Sequence, residues 1–167
     1  FGYSFLWAIL TIFISLLLVV PTAYWVHWRM PKMRPWVEFV TLMPFVVPAV
    51  VLVFGMSRLY GGGLKLFGTP ILVLTGTPIL LLAGYVILSL PYMFRAVDTG
   101  LRAIDVRTLT EAALSLGAGW GTILTKVIFP NLRVAILSGV FLTFAIVMGE
   151  FTFASLLYWP AFGPYME

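Results

Sequence analysis

Four apolar runs divide the chain, at about 4–25, 37–56, 71–94 and 134–158. Each approaches the roughly 20 helical residues that cross a bilayer core of about 30 Å. Pro21 lies near the end of the first run, where water or a neighbour can satisfy the carbonyl it frees. HWRMPKMRP follows, carrying Arg29, Lys32 and Arg34 beside two prolines. A short basic loop of this kind belongs on the cytoplasmic side. In the second run, Pro44 and Pro48 within LMPFVVPAVV predict a helix that bends or opens locally. Such breaks either relieve packing or, in a transporter, make a hinge or line the path. Residues 57–70, with Gly61, Gly62 and Gly63 before Lys65, read as a loop on the far side of the membrane. They lack the GxxxxGK[ST] spacing of a phosphate loop.

Between the third and fourth runs the pattern changes. In TLTEAALSLGAGWGTILTKVIFP (108–130), Thr108 predicts an N-cap, with Glu111 three residues on completing a capping box. Leu109, Ala112, Ala113 and Leu116 then share one helical face. Gly117 and Gly119 interrupt the helix, because glycine accepts the positive φ of a stop or sharp bend. Trp120, Ile123, Leu124 and Val127 begin a second apolar face, and Pro130 marks where that helix ends or hands over. The expected element is a pair of short amphipathic helices joined at a glycine corner. An interfacial pair lying on the membrane has the same pattern, but this one carries few basic residues to hold headgroups.

Composition fixes the class. Of 167 residues, 62% are hydrophobic and 10% charged, against about 45–50% and 25% in soluble domains, so the chain is an integral membrane protein of the all-α, polytopic kind. The net charge of +4 is a topology signal and not a nucleic-acid footprint, because the basic residues sit between apolar runs. Arg29, Lys32, Arg34, Arg95, Arg102, Arg107, Lys126 and Arg133 fall on the proposed inside, and Arg58 and Lys65 on the outside. That asymmetry places the 108–130 hairpin in the cytoplasm. The chain begins with Phe1 and enters an apolar run without a basic leader, and Trp159 to Glu167 follow the last run. Both ends lead us to expect an internal piece of a longer polytopic protein.

Little here supports chemistry. There is no cysteine and His27 is the single histidine, which excludes thiolate sites, multi-histidine metal sites and the usual acyl-transfer constellations. Neither enzymatic activity nor a cofactor is expected. Glu150 is the one acidic residue well inside an apolar run, 17 residues beyond Arg133 and so on the order of 25 Å along a helix. It reads either as a polar contact on a translocation route or as a structural carboxylate paired with a neighbour. The alternating signs of Arg95, Asp98, Arg102, Asp105 and Arg107 are typical of a wetted helix surface, the other reading of the first four being a switch beneath a pore.

The hairpin resembles the EAA loop of permease subunits of binding-protein-dependent ABC importers: Glu-Ala-Ala, three residues, Gly, nine residues, Ile, any residue, Leu-Pro. Glu111, Ala112, Ala113, Gly117 and Pro130 match in register, while Val127 and Phe129 replace Ile and Leu with apolar bulk. The run order is similar to the core of type I importer permeases, which normally has a further span after the fourth. LPYMFRAVDTGLRAID and VMGEFTFASLL look most like permeases for polyamines, ferric iron, thiamine or phosphonates. The resemblance implies a multi-pass permease of the bacterial inner membrane that leaves ATP hydrolysis to separate ATPase subunits. It implies docking of the hairpin on those subunits through Glu111, Ala112, Ala113, Leu116, Gly117, Trp120 and Pro130. A second permease subunit and an extracytoplasmic substrate-binding protein complete the implied assembly, and Glu150, Pro44 and Pro48 are candidates for the translocation path. An ion-gradient carrier is the rival reading, but it requires internal repeats and several mid-membrane ionisable groups. A non-transporting membrane scaffold is a third.

Overall fold

The computed structural model describes residues 2–60, 64–66, 69–72, 78–150 and 152–157. It is a helical bundle with one short ribbon. Helix α1 (Gly2–Arg29) continues unbroken through Pro21, and a 3₁₀ turn (Pro31–Met33) leads into α2 (Arg34–Val46). At Val47 the backbone turns extended, with φ −91° and ψ 119°. Proline disfavours a helical conformation in the residue before it, so Pro48 accounts for this break. Helix α3 (Ala49–Tyr60) then departs at 99°. Strands β1 (Leu64–Leu66) and β2 (Thr69–Leu72) pair antiparallel where an irregular loop was expected. The glycines at 61–63 lie outside the described residues.

Helix α4 (Pro78–Arg102) starts later than the expected third run, whose first residues belong to β2, and it extends eight residues past Phe94. Then come α5 (Val106–Ser115), α6 (Trp120–Thr122), a π-helical stretch (Ile123–Ile128) and α7 (Phe129–Asn131). Helix α8 (Arg133–Gly149) leaves that segment at 78°, stops at Glu150 and gives way to α9 (Thr152–Leu156). The fourth run, expected as one helix, is therefore broken. Trp159 to Glu167 lie outside the described residues. Among the described helices, α1 and α4 are each long and apolar enough to cross a membrane, and each bent pair is so when taken as one span.

Helix α4 is the axis, packed against α1, α2 and α8. It meets α8 closely because each contributes a glycine. A Cβ on Gly100 would stand 2.5 Å from the Ala135 methyl, and one on Gly139 would stand 2.7 Å from Met93 Sδ. Close approach of this kind is how helices associate where no hydrophobic drive separates protein from solvent. Two apolar cores form along the bundle. One unites Ala23, Tyr24, Phe94 and Leu101 with Val106, Ala113, Ile123 and Ile128. The other, at the opposite end, unites Ala8, Val53, Tyr85, Val147 and Phe153. The hairpin is thus continuous with the first core and is no loose appendage.

Candidate functional site: the hairpin and its charged collar

Helix α5 begins earlier than the expected cap. Asp105 is the N-cap and Thr108 already lies inside the helix: Thr108 N–H donates to Asp105 Oδ1 at 3.1 Å and its hydroxyl to Oδ2 at 2.7 Å. Those bonds hold the Asp105 carboxyl below the usual carboxylate range. Both Asp and Thr make good caps, and Asp105 wins because its two oxygens serve Thr108 twice. Glu111, freed from a capping role, accepts from Arg107 Nε at 2.8 Å.

The glycine corner forms as the sequence requires. Gly117 has φ 77°, its N–H donates to Leu114 O at 2.9 Å, and Ala118 N–H donates to Ala113 O at 3.0 Å. This is the paired closure of a Schellman stop, with the left-handed residue just past the cap. Helix α5 is rotated from the expected orientation. Its buried face is Val106, Thr110 and Ala113, whereas Ala112 faces outward and Leu116 is 87% exposed. A helix with apolar residues on two faces has docked one and left the other open. Glu111, Gly117 and Pro130 are exposed and Ala113 is buried.

The second half packs through Ile123 and Ile128, both fully buried. Their five-residue spacing is accommodated by the π-helical turns between them. Trp120 is partly exposed yet lies 5.8 Å from Trp25 and 4.8 Å from Trp28, ring centre to ring centre. Pro130 lies near the end of the continuous helical stretch from Trp120 to Asn131, just before the 78° bend into α8.

Sequence reasoning missed a second set of contacts just beside the hairpin. Asp98 of α4 is 2% exposed, not wetted as its alternating neighbours suggested. Arg34 forks onto it, with Nε and Nη2 each 2.9 Å from a different carboxylate oxygen, and Arg102 Nε donates to Oδ2 at 2.9 Å. His27 Nδ1 donates to Ala23 O at 3.0 Å, since a carbonyl can only accept. Its Nε2 stands 3.4 Å from Asp98 Oδ1, an ion-pair distance without a hydrogen bond. Glu38 extends the chain of charges, accepting from Arg95 Nη1 at 2.9 Å and lying 4.0 Å from Arg34. The i,i+4 spacing of Asp98 and Arg102 was the available signal, but it cannot tell an exposed pair from a buried one.

The proposed path residues are not gathered at one place. Pro44 is half-buried and Pro48 exposed at the α2–α3 break. An open cavity of about 720 Å³ lies among α2, α4 and α8, lined by Leu42, Phe45, Tyr92, Arg95, Val134 and Leu142 among others. Glu150 is elsewhere: its carboxylate accepts from Thr152 N–H at 3.0 Å and Phe153 N–H at 2.7 Å, capping α9.

Residues 3–166 match the family model described as binding-protein-dependent transport system inner membrane component. A spermidine/putrescine transport system permease protein of Haemophilus influenzae is 30% identical over 86% of this chain and 53% of its own length. A probable molybdenum ABC transporter permease protein of Haloferax volcanii is 31% identical over 92% of this chain and 56% of its own. A probable sulfate transport system permease protein of Chlorella vulgaris is 30% identical over 71% of this chain and 45% of its own. The chain spans about half the length of these relatives.

Proposed function

The chain belongs to the inner membrane components of binding-protein-dependent transport systems, and from that membership we propose that it is the non-catalytic permease subunit of an ABC importer, with its hairpin as the docking element for a separate ATPase. The observation that carries this reading is the split character of α5. Its inner face is part of the bundle core, while Ala112 and Leu116 stand outward beside Glu111. An exposed apolar patch edged by charge marks a protein contact. The hairpin faces the cytoplasm of a bacterial inner membrane, a second permease subunit completes the pathway, and an extracytoplasmic binding protein delivers substrate.

The test uses the assembled transporter in membranes. Glu111→Lys reverses charge beside the patch, and we expect membrane insertion to persist while recovery of the ATPase subunit with the permease falls about tenfold, the loss typical of an interface anchor. A thiol at Leu116 should cross-link to the ATPase subunit. Unchanged recovery and no cross-link would remove the docking role.

For substrate, the relatives' names point in different directions: one to polyamines, one to molybdenum and one to sulfate. The local likeness of LPYMFRAVDTGLRAID and VMGEFTFASLL favours polyamine or ferric iron. Competition of uptake by spermidine, molybdate and sulfate separates the cationic from the anionic substrates. Inhibition by molybdate or sulfate alone overturns the cationic assignment.

A further inference from the structure

Helix α1 is not joined to the hairpin in sequence, yet it grips both of its halves. On one side Tyr24, 1% exposed, sends its phenol into the core to lie 2.9 Å from Thr110 Oγ1, which is itself fully buried. Thr110 spends its hydroxyl proton on Val106 O at 2.7 Å. Tyr24 must therefore be the donor, and its oxygen reaches α5 across 86 residues of chain. On the other side Trp25 and Trp28, one helical turn apart, close on Trp120 at the start of the second half. The guanidinium of Arg29 covers Trp28, 4.6 Å from the ring centre. Below these contacts, His27 and Arg34 converge from the α1–α2 corner on Asp98 of α4.

We propose that the end of α1 is a third arm of the coupling hairpin, beside the covalently attached α4 and α8, with Tyr24 as the positioning residue that makes α1 follow α5. The proposal rests on the reading of the hairpin as the ATPase-docking element. The physical argument concerns sliding. A buried phenol in an apolar surround cannot slip by an ångström past its acceptor without being left unpaired, whereas Thr110 keeps its bond to Val106 O. Displacement of α5 therefore carries the end of α1 along, whereas apolar contacts alone would let α5 slide. Packed cores switch between discrete arrangements and do not deform continuously, so three arms moving together give one movement of the whole core at this end.

The experiment uses the complete transporter in proteoliposomes. Tyr24→Phe removes the hydroxyl and keeps the ring. We expect ATPase recovery and basal hydrolysis to match wild type while substrate carried per ATP falls about fivefold, the effect of one buried hydrogen bond on a two-state equilibrium. Equal transport per ATP with hydrolysis intact would overturn the proposal. A second arm guards against misfolding: cysteines at Trp25 and at Gly121, where an added side chain meets open space, are placed in a chain that has none of its own, joined by a short bifunctional reagent and compared with the same variant left unbridged. If α1 moves with the hairpin the bridge leaves transport intact, and arrest by the bridge overturns the proposal. Failure of the docking reading itself is seen separately, as loss of the Leu116 cross-link in the wild-type background.

Discussion

The two ends of the bundle are built on different principles. At the hairpin end, a single carboxylate gathers cations from α4 and from the corner between α1 and α2, a phenol is bonded to a buried hydroxyl, and one core unites α1, α4, α5, the π-helical stretch and α8. At the other end, α3 and α9 are short pieces beyond breaks, and α9 is held by Glu150 capping its first amides. Buried Tyr85 and Thr143, on α4 and α8, have hydroxyls without a hydrogen-bond partner. Cross-linked polar contacts resist local opening, whereas short segments with few partners open at low cost. The difference teaches where force and where passage belong: a stiff end can transmit a push, and a segmented end can change shape in response.

Three substitutions or conditions probe that contrast. Asp98→Ala should have the largest effect, because it strands Arg34 and Arg102 against the core. Removing one member of a buried pair costs about 3–5 kcal/mol, and about 3 kcal/mol is expected here, since Arg102 reaches solvent. The check is the thermal midpoint of the detergent-solubilised protein, and a drop no larger than that of a surface variant would show the hairpin end to be no stiffer than the other. Glu150→Ala should cost about 1 kcal/mol, the usual value of an N-cap. Its effect should be confined to faster amide exchange in α9; exchange spreading to α5 would mean that the two ends are not separate. Acidification should give the smallest change. The Asp105 carboxyl is held below its ordinary range, so its cap is fully present above the unfolded pKa and is lost as pH falls through the folded value. Exchange of the Thr108 amide, measured against Asp105→Asn as reference, should lose its protection only in that acidic window.

The helical class was legible because apolar runs of such length admit few alternatives in lipid. The corner at Gly117 was legible because a left-handed residue leaves a specific chemical trace. Other features were not, each for its own reason. The start of α5 moved to Asp105 because two competent caps stand three residues apart and only side-chain geometry chooses between them. The buried face of α5 was misassigned because Ala112 and Leu116 are as apolar as the face that docks. Asp98 was placed in water because an alternation of charges looks the same whether its partners lie along one helix or come from another. The stop at Glu150 follows from a side chain turning back on its own backbone, which hydropathy does not register. Tyr24 was invisible because its partner is 86 residues away.

The glycines between α4 and α8 carry one more consequence. Met93 and Ala96 crowd Gly139, and Ala135 and Leu132 crowd Gly100, so neither helix can shear along the other without driving a methyl or a sulfur into a backbone. The two must travel as a single slab. Any rocking of this molecule then has its fulcrum outside that slab, above all at the kink before Pro48, where the helix is broken and bent by 99°.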